Sequence, residues 1–200
     1  MARVIAELSM SLDGFVADRS DQVGPLFDWY GNGPVETPSA FPDKWKFRTS
    51  QASAGYLREA MSNVRAVIGG RRVFDIGGWG PDGHPFGQPI FVVTHAVPDG
   101  WPRADWPLPV TFVTDGVRSA VRQASAIAGQ DGWVAVGGPD VIQQCLREGL
   151  LNELRINLVP VLLGDGIRYL DGLAPGTVEL ANPAVIEGDR VTHLTYAIRR

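Results

Sequence analysis

Hydrophobic positions along residues 1–150 alternate between strand-like and helix-like patterns. Residues 2–10 are apolar at Val4, Ala6, Leu8 and Met10 and again at Ile5, so both faces are expected to be partly buried, as in a central strand. Short apolar runs predict further strands, and apolar stripes at helical spacing predict helices between them. The predicted strands are 65–69, 89–94, 110–114 and 133–136, and the predicted helices are 50–63, 71–76, 117–128 and 139–149.

From Glu153 the pattern changes to longer strands. Residues 177–186 and 190–198 predict a hairpin around Gly188 and Asp189. Pro160 predicts that the strand after Glu153 is an edge strand or carries a bulge. The fold class predicted is therefore α/β, with a central, mostly parallel sheet, flanking helices and an antiparallel C-terminal hairpin.

Residues 18–48 interrupt this order with four prolines and no clear period, which predicts a long loop with one short helix. Its aromatic side chains either wall a pocket or fasten the loop to the core. No repeat or linker divides the rest, so residues 1–200 are expected to form one domain with this insert.

Composition excludes several classes of function. The net charge of −4 disfavours a nucleic-acid partner. The single cysteine, Cys145, lies on the apolar face of a predicted helix, and no cysteine or histidine cluster has metal-binding spacing. The N-terminal segment is too short and polar for a signal peptide or membrane span, so we expect a cytoplasmic protein with a small-molecule substrate and no membrane partner.

The strongest chemical signal is a strand that ends at Gly137 and Gly138, where a helix begins at once with Pro139. Glycines allow a ligand to approach the backbone, and free N–H groups of the first helical turn favour phosphate. Asp140 in that turn suits the helix dipole but competes with an anion. Alone, the motif is equally compatible with a tight turn that binds nothing.

Gly69-Gly70-Arg71-Arg72 repeats this arrangement with two cations at the start of a helix. Cations there oppose the helix dipole, and the arginine fork matches phosphate oxygens. The alternative is a solvated arginine pair. Two such junctions together favour phosphate binding, although neither is a Rossmann or P-loop motif.

A third strand ends at Thr94 and His95, whose hydroxyl and imidazole suit a ribose or a phosphate. An ordinary strand end is the competing interpretation.

The order of these motifs resembles the dihydrofolate reductase-like superfamily, most closely the reductase domain of the bifunctional riboflavin-biosynthesis deaminase–reductase. The residues that carry the resemblance are 9–17 (SMSLDGFVA), 67–73 (VIGGRRV), 92–95 (VVTH), 134–138 (VAVGG), 151–156 (LNELRI) and 161–166 (VLLGDG). The resemblance covers nearly the whole chain outside the insert.

This resemblance implies an NADPH-dependent reductase, commonly a homodimer, which agrees with an edge strand after Glu153. The phosphates of adenosine and the pyrophosphate would lie at Gly70, Arg71, Arg72 and Val73, and the ribose with its 2′-phosphate at Thr94 and His95. The pyrophosphate would be wrapped by Gly137, Gly138, Pro139, Asp140, Val141 and Ile142. The nicotinamide would be bordered by Ser9, Met10, Gly14 and Ala17.

The chain also departs from the family pattern. Dihydrofolate reductases carry a substrate-binding carboxylate on the first long helix, where residues 51–55 here hold no acid, so folate reduction is disfavoured. Val73 replaces a customary hydroxyl and removes one phosphate contact. The zinc-binding deaminase half is absent from this sequence.

The sequence therefore predicts NADPH-dependent hydride transfer to a C=N or C=O bond of a small heterocyclic or sugar-like substrate. The alternatives are 5-amino-6-(5-phosphoribosylamino)uracil reduction in riboflavin biosynthesis, and a non-catalytic nucleotide- or flavin-binding module. Asp13 is the candidate catalytic residue, as a proton donor, and its alternative role is to accept hydrogen bonds within a turn. An acid of the insert such as Asp28, or water, would replace it as donor.

Overall fold

A computed structural model describes residues 2–77, 84–101, 106, 108–174, 176 and 178–199 of the chain. Most of the loop expected over residues 78–88 lies outside this part. The predicted fold class is confirmed: a mixed α/β architecture with a central, mostly parallel sheet and antiparallel C-terminal strands.

The central sheet of the described part has nine strands in the order β11-β13-β9-β1-β8-β5-β6-β7, with β12 paired to β13. Every pair from β9 to β7 is parallel, and β13 runs antiparallel to β9. Small two-stranded sheets join β10 to β2 and β3 to β4. The strands are β1 (Arg3–Ser11), β2 (Phe15–Ala17), β3 (Val35–Thr37), β4 (Phe47–Thr49), β5 (Val64–Gly70), β6 (Ile90–Val93), β7 (Val110–Val113), β8 (Trp133–Val136), β9 (Glu153–Val159), β10 (Ile167–Arg168), β11 (Glu179–Leu180), β12 (Ala184–Glu187) and β13 (Thr192–Arg199).

In the described residues four α-helices connect these strands, and two of them begin with a favourable capping or first-turn residue. They are α1 (Gln51–Asn63), α2 (Arg71–Ile76), α3 (Val117–Ala128) and α4 (Pro139–Arg147). The Ser50 hydroxyl accepts a hydrogen bond from the Ser53 N–H at 3.2 Å and caps α1. Pro139 occupies the first turn of α4, where its missing N–H has no cost. None of the helices in the described ranges is long and apolar enough to cross a membrane.

The apolar core lies on both faces of the sheet. One cluster joins the even-numbered residues of β1 to α3 and α4, and includes Cys145, which is fully buried as predicted. Two further clusters cover the opposite face beneath α1, α2 and a 3-10 helix, Gly24–Tyr30. Burial on both sides agrees with the apolar Ile5, which lies on the face opposite Val4 and Ala6.

The prediction that β9 is an edge strand is wrong. It pairs with β1 on one side and with β13 on the other, and six of its seven residues are buried. Pro160 comes directly after its last residue, Val159, so the missing N–H ends the strand without breaking a ladder.

Two further boundaries differ from the sequence-based prediction. The C-terminal hairpin consists of β12 and β13, while residues 179–180 form a separate short strand beside the end of β13. The insert over residues 18–48 contains the predicted short helix but also the β3–β4 ribbon, of which only β3 lies wholly inside it. Strands of three residues are too short to show a period.

Candidate functional site

The two glycine junctions meet at the carboxyl edge of the sheet. Their strands, β5 and β8, are parallel neighbours with Ile68 opposite Val136. The Gly137 N–H donates to the Ile68 carbonyl at 2.8 Å, so the chain leaves both strands side by side. A ligand at this edge would therefore contact both junctions.

Only glycine fits at position 138. Its φ is +86°, a region that side-chain-bearing residues rarely adopt. A Cβ there would lie 2.8 Å from the Val73 Cγ2 and 3.9 Å from the Gly70 nitrogen. Val73, which the resemblance placed at the phosphates, is thus the side chain against which the second junction packs.

The arginines that follow Gly70 are exposed and paired with carboxylates. Arg71 Nε lies 2.8 Å from both oxygens of Asp75, and its side chain is 40% exposed. Arg72 donates to the Asp21 carboxylate from Nε and from Nη2, the latter at 2.7 Å, and its side chain is 67% exposed. The hydrogen bond and charge of Asp21 raise the pKa of Arg72 further. Both cations are therefore exposed, and each is paired with a carboxylate, of which Asp75 is exposed and Asp21 is mostly buried.

Thr94 and His95 follow β6, the strand next to β5. Val93 lies opposite Gly70, so Thr94 begins just past the first junction. The Thr94 hydroxyl donates to the Ala96 carbonyl at 3.0 Å, and His95 is exposed. These two residues thus flank the same edge, on the side away from β8.

The start of α4 presents fewer groups than the sequence suggests. Pro139 has no N–H, and the Ile142 N–H donates to the Gly138 carbonyl at 3.1 Å. The side chains of Val141 and Ile142 are buried in the core. Asp140 is exposed and accepts a hydrogen bond from Gln144. The N–H groups of Asp140 and Val141 are those that the helix leaves for a ligand.

The end of β1 and the turn after it border the second part of the site. Ser9 is buried and accepts a hydrogen bond from the Trp29 indole at 3.1 Å, and Met10 packs on the core. Gly14 has a φ of +92°, and Ala17 is buried in β2. These residues lie at the end of β1, in the turn after it and in β2, and β1 is on the β9 side of the glycine junctions.

Asp13 holds this turn against the loop after β9. Its carboxylate accepts hydrogen bonds from the Ser11 hydroxyl and from the N–H groups of Leu163 and Gly164, at 3.2 and 2.7 Å. Chiefly through the Ser11 hydrogen bond, the pKa of Asp13 is lowered from its usual 3.8. Such a carboxylate is ionised near neutral pH, which suits an acceptor that fixes two loops better than a proton donor.

Replacing Asp13 by asparagine is expected to remove a pH-dependent part of the stability. Because the folded-state pKa is lowered, this contribution is complete well above pH 3.8 and is lost as the pH falls through and below that value. Urea unfolding of both proteins near neutral pH and near about pH 3 measures it. A constant difference in stability between the two proteins would contradict the ionised role.

A buried chain of polar side chains, which the sequence patterns missed, lies on the α1 face of the sheet. It runs from Ser53 on α1 through His193 on β13 and Asn157 on β9 to Glu7 on β1, with donor–acceptor distances of 2.9, 2.8 and 3.1 Å. Each residue alone looks like an interruption of an apolar strand or helix. Only the pairing of β1, β9 and β13 brings them together.

The donors and acceptors in this hydrogen-bond chain follow from the neutral His193 and from Glu7, which can only accept. Burial lowers the pKa of His193 to about 4, so the imidazole is neutral near pH 7. Glu7 accepts from the Asn157 amide NH₂, which leaves the Asn157 oxygen to accept from His193 Nδ1. His193 Nε2 then accepts from the Ser53 hydroxyl. Every donor thus points toward Glu7.

We expect His193→Gln to remove a fall in stability on the acid side of neutrality. Since the folded pKa lies near 4 and the unfolded one near 6.5, stability is present above 6.5 and is lost as the pH falls toward 4, by about 2–3 kcal/mol. Urea unfolding at about pH 7.5 and about pH 4.5 tests this. His84 is present in both proteins, so its own contribution cancels. The same pH dependence in the variant would contradict the assignment.

No three His, Cys, Asp or Glu side chains of the described residues are grouped as a metal site. Cys145 is buried, and burial raises its pKa to about 12, so its thiol is not a nucleophile.

Comparison with known proteins shows which proteins this chain resembles. The sequence model of the RibD C-terminal domain family matches residues 103–190. The chain also shares 22% identity over 165 residues with the uncharacterized protein YwjB of Bacillus subtilis (strain 168), covering 82% of this chain and 80% of that protein.

Solved structures share the fold over nearly the whole chain. A protein of Shewanella sp. PV-4, assigned by name to riboflavin biosynthesis, superposes with a TM-score of 0.66 and 24% identity over 100% of both chains. A deaminase/5-amino-6-(5-phosphoribosylamino)uracil reductase of Thermotoga maritima gives 0.61 and 13% identity over 98% of this chain, which spans 56% of it. Dihydrofolate reductase of Enterococcus faecalis, complexed with NADP(H), gives 0.57 and 13% over 99% and 97%.

The resemblance first drawn from the order of short motifs is thus confirmed: the chain has the dihydrofolate reductase-like fold, with a match to the RibD C-terminal domain in its second half.

Proposed function

We propose that this protein is an NADPH-dependent reductase that transfers a hydride to a C=N or C=O bond of a small heterocyclic or sugar-like substrate. The observation that carries the proposal is the meeting of two strand–Gly-Gly–helix junctions at one edge of the sheet, with two exposed arginines beside them. The family comparisons support a reductase of the riboflavin-pathway type.

The donors at this edge fit a dinucleotide with a 2′-phosphate. The backbone of Gly137 and Gly138, with the N–H groups of Asp140 and Val141, would hold the pyrophosphate. Arg71 and Arg72 would exchange their carboxylate partners for phosphate oxygens, and Thr94 and His95 would border the ribose. NADPH supplies the hydride when bound.

On the substrate side, the protein positions the reactants and excludes water. The nicotinamide would be bordered by Ser9, Met10, Gly14 and Ala17. The hydrogen bonds of Asp13 hold the turn that contains Gly14 to the loop at 163–164. Because Asp13 is occupied as an acceptor, we assign the proton to water or to an acid of the insert such as Asp28.

Titration with NADPH, NADH and FMN, followed by protein fluorescence and melting temperature, tests the proposal. We expect NADPH to bind most tightly and to raise the melting temperature most, since the arginines pair with its additional phosphate. Equal affinities for NADPH and NADH, or a preference for FMN, would reject it, and the latter would favour a flavin-binding module.

Reduction of the phosphoribosylaminouracil of riboflavin biosynthesis is the second candidate, because residues 103–190 match the RibD C-terminal domain. That substrate carries a phosphate of its own and needs a second basic cluster. A screen of NADPH consumption with and without this compound separates the two candidates.

A homodimer remains a proposal, although β9 no longer supports it. The edge strand β12 offers an alternative surface, because all four of its residues are exposed, including Val185 at 53% and Ile186 at 39%. Light scattering would measure the mass in solution.

A further inference from the structure

Residues 18–22 form a short turn directly after β2, which we call the 18–22 turn. The Asp18 N–H donates to the Gln22 carbonyl at 3.0 Å, and the Asp18 Oδ1 accepts from the N–H groups of Ser20 and Gln22 at 2.7 and 3.0 Å. The Asp21 N–H donates to the Asp18 carbonyl at 3.2 Å. These hydrogen bonds are all local, so they define the shape of the turn but do not attach it to the rest of the protein.

One end of the 18–22 turn is attached to the loop after β9. Arg19 Nε lies 2.5 Å from Asp165 Oδ2, and this contact is the main reason that the pKa of Asp165 is lowered from its usual 3.8. A Cβ at Gly166 would overlap the Ala17 carbonyl oxygen and would lie 3.1 Å from the Asp18 Cα. This end of the turn is therefore held by close backbone packing as well as by an ion pair.

The other end of the 18–22 turn is attached to α2 by a forked contact between Asp21 and Arg72. The Asp21 carboxylate accepts hydrogen bonds from Arg72 Nε at 2.9 and 3.0 Å and from Arg72 Nη2 at 2.7 Å. The Asp21 side chain is 17% exposed, whereas that of Arg72 is 67% exposed. An ion pair with so exposed a cation contributes little net free energy, so another anion can replace the carboxylate.

The backbone of Asp21 adopts an uncommon conformation at this contact. Its φ is +65°, and among the described residues only Arg190 also has a positive φ without being glycine. Aspartate tolerates the left-handed region better than most residues, but such a conformation persists where neighbouring contacts hold it. Loss of the contact with Arg72 would allow this backbone to relax, which favours release of the turn.

The contact between Asp21 and Arg72 joins two sides of the proposed cofactor site. Arg72 lies in α2, directly after β5, and Asp21 follows β1 and β2. In the sheet, β8 lies between β1 and β5, and its end carries Gly137 and Gly138. The contact therefore connects the β1 side to the β5 side of the strand at which the pyrophosphate is proposed to bind.

We propose that Asp21 competes with a cofactor phosphate for Arg72, and that binding of this phosphate releases the 18–22 turn. The phosphate takes the forked contact on the guanidinium, and the Asp21 carboxylate moves into solvent. The ion pair of Arg19 with Asp165 keeps the other end of the turn in place. Because the two events are linked, Asp21 lowers the affinity for the phosphate and the phosphate lowers the order of the turn by the same factor. This inference rests on the proposed function, of which it specifies the regulation.

Hydrogen–deuterium exchange of the peptide that contains residues 18–22 tests this inference in the full-length protein. The exchange rate is measured without ligand, with saturating NADP⁺ and with saturating NAD⁺, and saturation is judged from the melting temperature. We expect NADP⁺ to raise the rate by about two- to fivefold and NAD⁺, which lacks the 2′-phosphate, to leave it unchanged. Bound NADP⁺ with an unchanged or slower rate would overturn the inference alone. No rise in melting temperature with NADP⁺ would reject the proposed function as well.

Asp21→Asn tests the attachment of the turn without any cofactor. Asparagine tolerates the left-handed region equally well and removes the charge that Arg72 binds. Exchange in the unliganded variant should rise to the rate of wild type with NADP⁺, and NADP⁺ should raise it no further. Asp75→Asn is the matched control, because it removes the carboxylate partner of Arg71 and should leave exchange of the turn unchanged. An unchanged rate in Asp21→Asn, or an equal increase in Asp75→Asn, would overturn the inference.

Discussion

Replacing Arg72 by alanine is expected to weaken NADPH binding by about ten- to a hundredfold and NADH binding much less. Arg72 stands beside the junction at Gly70, and its guanidinium already forms a forked contact with the Asp21 carboxylate. The same fork matches two phosphate oxygens. Since NADH lacks the 2′-phosphate, only NADPH loses this contact, and equilibrium titration of both cofactors measures the difference.

Three further variants test whether the loss of NADPH affinity comes from a contact between Arg72 and the 2′-phosphate. Arg71→Ala should act in the same direction, because Arg71 is also exposed and has a surface partner in Asp75. Asp21→Asn should remove the carboxylate that competes with phosphate for Arg72, and should therefore strengthen NADPH binding. Arg118→Ala removes an exposed arginine of α3 that pairs with Glu148 and should affect neither cofactor. Equal losses of NADPH and NADH in the Arg72 variant would show that it does not read the 2′-phosphate.

Replacing Gly138 by alanine is expected to abolish measurable cofactor binding and to lower the free energy of unfolding by about 2–4 kcal/mol. The backbone at φ +86° is strained for alanine, and the added Cβ would lie 2.8 Å from the Val73 Cγ2. Relief of that contact separates the two junctions, which the proposed pyrophosphate site needs side by side. Urea unfolding and NADPH titration measure the two effects.

Two further variants separate the steric contact with Val73 from the backbone strain at position 138. Val73→Ala in the Gly138→Ala background should restore part of the stability, because it removes the steric contact but not the strained φ. Gly55→Ala, within α1 where a Cβ meets open space, should stabilise the protein by about 0.5–1 kcal/mol. Unimpaired stability and NADPH binding in Gly138→Ala would show that the close packing of the junctions is not required.

The two glycine junctions were predictable because their signals are local. Gly137, Gly138 and Pro139 mark a strand end and a helix start within three residues, and the same holds for Gly69 to Arg72. Parallel strands bring their carboxyl ends to one edge whatever their order, so the two junctions were expected near each other. The local sequence pattern does not predict that Val73 packs against Gly138.

The buried chain of polar side chains was not predictable, because its residues are distant in sequence. Glu7, Ser53, Asn157 and His193 come from three strands and a helix, and they meet only through the pairing of β1, β9 and β13. The error at β9 has the same origin. Pro160 indicates a strand end, but only the pairing partners determine whether the strand is central.

A crystal structure of the protein with NADPH would show directly where the cofactor lies. We expect the pyrophosphate against Gly137, Gly138 and the N–H groups of Asp140 and Val141, with the 2′-phosphate on Arg71 or Arg72 in place of Asp75 or Asp21. Cofactor bound away from the edge formed by β5 and β8, with both arginines still on their carboxylates, would contradict it.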